Sequence, residues 1–65
     1  MNEAPPFSME DLAKCAERET RYRERVYPRV VIKGQMGAAK ANKEIAMMRA
    51  IAQLLGERAE RERLL

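Results

Sequence analysis

A single cysteine and no histidine leave this 65-residue chain without the staples that chains of its size normally use. A domain this small buries only about 60% of the surface its unfolded chain exposes, so its stability is marginal unless a disulfide, a metal or a partner adds to it. Cys15 has no second thiol to pair with, and a structural zinc wants four Cys or His ligands, so both are excluded by counting. Oligomerisation, or docking on a larger partner, is the route that remains.

The residue types point to helices. Ala, Glu, Arg, Leu, Met and Lys dominate, all strong helix formers. Ser8 is placed as an N-cap, with Asp11 as the acidic member of a capping box and Phe7 and Leu12 as a hydrophobic staple. Residues 1–7, with Pro5-Pro6, read as a flexible tail. A first helix is expected over 8–33, kinked or restarted at Pro28, where the chain loses an N–H and the ring crowds the carbonyl of Glu24. Gly34 and Gly37 bracket a turn over 34–37. A second helix follows over 38–64, ending early near 55 if Gly56 stops it. The β-branched run Val30-Val31-Ile32 has strand propensity but no second strand to pair with. The expected fold is therefore an all-α, two-helix antiparallel hairpin, pairing into a four-helix dimer.

Helical periodicity assigns the faces. In the first helix Leu12, Cys15, Tyr22, Val26 and Val30 form an apolar stripe, interrupted by Glu19 and Arg23. In the second, Ala41, Ile45, Met48, Ala52, Leu55 and Ala59 alternate spacings of four and three, as in a coiled-coil seam. Met47, Ile51 and Leu54 widen that face beyond what one narrow helix covers. This mismatch is the main reason to expect a dimer or a protein partner, with those three residues as the contact. Glu44 sits within the apolar half of the second helix, and an ion pair with Arg29 or Lys33 across the hairpin is expected to fix its register.

The net charge of +3 is unevenly distributed. Residues 1–17 carry one base against four acids, 18–49 nine bases against three acids, and 50–65 three of each. Arg18, Arg21, Arg25, Arg29 and Lys33 share one side of the first helix, with Lys40 and Lys43 beyond the turn. Such a stripe suits nucleic-acid phosphates or an acidic protein, or is simply a solvated face.

No catalytic set can be assembled without histidine and with one thiol, so no enzyme activity, cofactor or small-molecule substrate is expected. GQMGAAK fails as a phosphate loop, because only two residues lie between its glycines and Lys40 is displaced from the second. Its GxxG echoes a KH domain but lacks the strands that fold requires. MNEAPPFSMED has no basic segment ahead of an apolar run, no apolar stretch is long enough to cross a bilayer, and a free thiol fits a reducing compartment. A cytoplasmic setting is expected.

Residues 21–52 carry the pattern RVYPxxVxxGxM followed by AxxEIxxMxAI, supplied by Arg25, Val26, Tyr27, Pro28, Val31, Gly34 and Met36, then Ala41, Glu44, Ile45, Met48, Ala50 and Ile51. About half the chain thus resembles short uncharacterised proteins encoded by bacteriophages and prophages. The resemblance implies a helical hairpin in a bacterial or phage cytoplasmic setting and supplies no activity. Three functions follow as expectations: an accessory protein that binds a host or phage protein through its helix faces, a nucleic-acid-binding dimer using the basic stripe, or a purely structural self-assembling element.

Overall fold

The computed structural model describes residues 6–65, so most of the expected 1–7 tail lies outside the described residues. The chain is an all-α hairpin of two helices, α1 over Met9–Ile32 and α2 over Ala38–Leu64. Ser8 caps α1, its hydroxyl oxygen accepting from the Asp11 N–H at 3.0 Å, and Glu10 and Asp11 put negative charge on the first turn. Phe7 and Leu12 line one shallow hollow at the position of the expected staple, with Phe7 still 60% exposed.

Helix α1 runs unbroken through Pro28, so the helix restart considered from the sequence does not occur. It ends at Lys33 in a Schellman arrangement. The Gln35 N–H donates to the Val30 carbonyl at 3.0 Å and the Gly34 N–H to Val31 at 2.9 Å, closing carbonyls the helix leaves open. This needs a left-handed residue, and Gly34 supplies it at φ 76°. Space around Gly34 is open, so the cost of a side chain there is purely conformational. Gly34→Ala is expected to lower stability by about 1–2 kcal/mol, read as a fall of roughly 5–15 °C in the midpoint of thermal unfolding.

Gly37 occupies the N-cap of α2 with extended backbone and no side-chain cap. The helix then continues through Gly56 to Leu64, which removes the early stop near 55. Glycine there costs about 1 kcal/mol relative to alanine, less than the packing and hydrogen bonds of the following turns supply.

The buried seam differs from the expected one on one helix and agrees on the other. On α2, Ala41, Ile45 and Met48 are buried and Ala52, Leu55 and Ala59 half-buried. On α1 the buried residues are Ala13, Ala16 and Thr20, while Cys15 and Tyr22 of the expected stripe are exposed. The true α1 seam is Met9, Ala13, Ala16, Thr20, Arg23, Tyr27 and Val30, again spaced four and three. Small side chains bring the helices close enough for the Thr20 hydroxyl, 2.8 Å from the carbonyl of Ala16, to lie 3.3 Å from the Met48 carbonyl on α2.

Candidate binding surfaces

Arg23 joins the two helices. It donates to the Glu19 carboxylate at 3.0 Å and to the backbone carbonyl of Glu44 at 3.1 Å, and it lies 5.8 Å from the Tyr27 ring centroid. The Glu44 carboxylate is 3.8 Å from the same guanidinium. Its cross-helix partner is therefore Arg23, which corrects the expected pairing with Arg29 or Lys33. The reason is angular: Arg29 lies six positions on from Arg23, which turns it away from α2. The bond to Glu19 raises the Arg23 pKa above its ordinary value, with burial opposing it. A basic group with a raised folded-state pKa loses its contribution only as pH climbs past the arginine range, so it makes no switch near neutrality.

On the other side of the layer, Arg49 pairs with Glu24 at 2.6 Å. Both side chains are well exposed, so the pair contributes on the order of 0.5 kcal/mol.

Two surfaces remain after the seam and these pairs are assigned. The first is apolar. Leu12, Cys15, Tyr22 and Val26 lie about a quarter-turn from the α1 seam, and Met47, Ile51 and Leu54 about a quarter-turn from the α2 seam in the same rotational sense. Because the helices are antiparallel, equal rotations bring both stripes to one face of the hairpin, opposite the Glu24–Arg49 pair. Met47 is 43% exposed, Ile51 46% and Leu54 66%, so this face is open to water. The sequence singled out the α2 half of it. The α1 half matches the apolar stripe expected to face inward, and its place beside Met47 and Ile51 follows only from the hairpin.

The second surface is cationic. Arg18, Arg21, Arg25, Arg29 and Lys33 run along the outer side of α1, away from α2, over about 22 Å of helix. Each is exposed and none makes an ion pair among the described residues, although six acidic residues elsewhere do. Arg25 lies 5.9 Å from the Tyr22 ring centroid. Lys40 and Lys43 are also exposed and unpaired but sit on α2, so the hairpin does not bring them onto this stripe.

Concavities are open grooves of a single helical layer. One of about 600 Å³ is lined by Glu17, Ala52, Gln53, Gly56 and Glu60, among others. Among the described residues no three Cys, Asp or Glu side chains gather as metal ligands, and no helix is long and apolar enough to cross a membrane.

Fold and surface together define a two-helix all-α hairpin with one open apolar face and one cationic flank. Comparison with protein-family models, with curated proteins and with solved structures finds no match to this chain.

Proposed function

We propose that this chain is a small non-enzymatic accessory protein, of the phage or prophage kind that its 21–52 pattern resembles, acting in the cytoplasm by binding another protein through its helix faces. The observation that carries the reading is the apolar face centred on Met47, Ile51 and Leu54. Monomeric proteins rarely leave a contiguous apolar face open unless something docks there. The hairpin's own core supports the same conclusion. Among the described residues no large side chain is fully buried, and three of the five buried apolar residues are alanines. Capture of the tagged chain from bacterial lysate that also holds untagged copies of it is expected, after nuclease treatment, to recover a stoichiometric protein, foreign or a second copy, and Ile51→Asp to abolish its recovery. Recovery unaffected by Ile51→Asp would mean that the contact lies elsewhere.

A second reading has its own support in the five unpaired cations on the outer side of α1. They suit a nucleic-acid backbone, with Lys40 and Lys43 as outlying contacts. Phosphate binding weakens linearly with salt on logarithmic axes as counterions are released, whereas an apolar helix-face contact is nearly salt-insensitive. Capture that vanishes on nuclease treatment would put this reading first. A purely structural self-assembling element is the third reading, and it requires neither a foreign protein nor a polyanion.

A further inference from the structure

We propose that the face carrying Met47, Ile51 and Leu54 is covered by a second copy of this chain, with the two α2 helices antiparallel and their Ile51 residues meeting at the two-fold axis. The inference rests on the reading of that face as a docking surface and names its occupant.

The first argument is charge. Along α2 a second row, a quarter-turn from the buried seam, runs Lys40, Glu44, Met47, Ile51, Leu54, Arg58, Glu62 at spacings of four and three with one final four. The row is apolar at its centre and charged at its ends, and the ends are complementary when one copy is reversed. Glu44 and Arg58 each lie seven residues from Ile51, and Lys40 and Glu62 each lie eleven. In the antiparallel pair, Glu44 is level with Arg58 of the second copy, and Lys40 with its Glu62. Parallel pairing of the same rows would set like charges against each other. An unrelated partner places no such reversal symmetry on the row.

The second argument is register. The Thr20–Met48 contact makes residue 17 of α1, three before Thr20, level with Ile51, three after Met48. About that point Leu12 and Tyr22 are each five residues away, so the axis that matches the charges of α2 also sets Leu12 opposite Tyr22 of the second copy. One symmetry operation satisfies both helices.

Area is the third. The hairpin is one layer, 15 Å thick, where domains normally pack two. Its accessible surface is 5432 Å², whereas a compact protein of 7.5 kDa exposes roughly 4,200 Å². The difference exceeds the roughly 800 Å² that each partner contributes to a standard interface.

Sedimentation equilibrium on the full chain over a concentration series tests the proposal. Wild type is expected to dimerise, and Ile51→Asp to weaken the dimer roughly a hundredfold or more, because it buries two facing carboxylates at the axis. Lys40→Glu and Glu62→Lys are each expected to weaken it about tenfold by facing like charges, and the double variant to recover to within about threefold of wild type. Each single change places a charge favourably on its helix dipole, and the Arg58–Glu62 pair that Glu62→Lys breaks is well exposed and contributes at most about 0.5 kcal/mol, so loss of the dimer is not loss of the fold. Cys15 lies on the covered face, and its reaction with a soluble thiol reagent should slow as the dimer forms. A chain that stays monomeric into the millimolar range overturns the proposal, as does a dimer indifferent to Ile51→Asp or a double variant no better than its parents. A monomer that still captures a foreign protein through Ile51 would remove the second copy and keep the docking surface.

Discussion

Ile45→Ala is expected to remove about 2–4 kcal/mol of stability, which for a chain of this size is a large share of the total. Ile45 is 9% exposed and, with Met48, is one of two large buried side chains among the described residues. The half-buried Arg23 is held at the neighbouring residue of α2 by its bond to the Glu44 carbonyl, and it cannot move into the space left behind without breaking that bond. The measurement is thermal unfolding followed by far-ultraviolet circular dichroism, with a midpoint lowered by 10 °C or more. Ile32→Ala is the control. Ile32 is 85% exposed, so the same chemical change is expected to cost no more than about 0.5 kcal/mol. Equal effects at the two positions would show that the 41–45–48 seam is not the core.

Reversing Arg21 and Arg25 to glutamate together is expected to decide between the cationic and apolar surfaces as sites of function. Each reversal removes two units of charge, taking the formal net charge from +3 to −1. Both side chains are exposed and free of ion pairs among the described residues, so the hairpin should remain folded. If the stripe meets phosphates, affinity for a duplex or single-stranded oligonucleotide should fall roughly a hundredfold near 0.1 M salt. The slope of log affinity against log salt should flatten by about two as two phosphate contacts are lost. Self-association through Ile51 should persist. An unchanged oligonucleotide affinity would reduce the stripe to a solvated helix face.

The contrast between the two helices shows where sequence reading works. The α2 seam is legible because Ile45, Met48 and Leu55 mark it with large apolar groups at coiled-coil spacing. The α1 seam is marked by Ala13, Ala16 and Thr20, which add little hydrophobic signal, while larger residues a quarter-turn away draw the eye. Size ranks residues by the area they bury, but close approach of two helices is set by where side chains are small. Arg23 illustrates the same point. It looked like an intrusion on the wrong stripe, yet it lies on the true seam and binds α2 through the Glu44 carbonyl, a group that no side-chain pattern reveals.

The sequence by itself determined the local structure: two helices, the Ser8 cap, the glycine turn and the seam of α2. These depend on interactions within a few residues, where capping, propensity and periodicity are decisive. It also determined that the core would be thin, because chain length and the lack of staples bound it. Tertiary structure decided which side of α1 turns inward, which arginine meets Glu44, and that the apolar stripes of both helices share one open face. Those outcomes depend on helix-to-helix distance and rotation, which local chemistry constrains only weakly because a quarter-turn of α1 exchanges one plausible stripe for another. The close fit of Ala13, Ala16 and Thr20 against α2 selects the rotation, and in doing so leaves Tyr22, Met47 and Ile51 facing outward together.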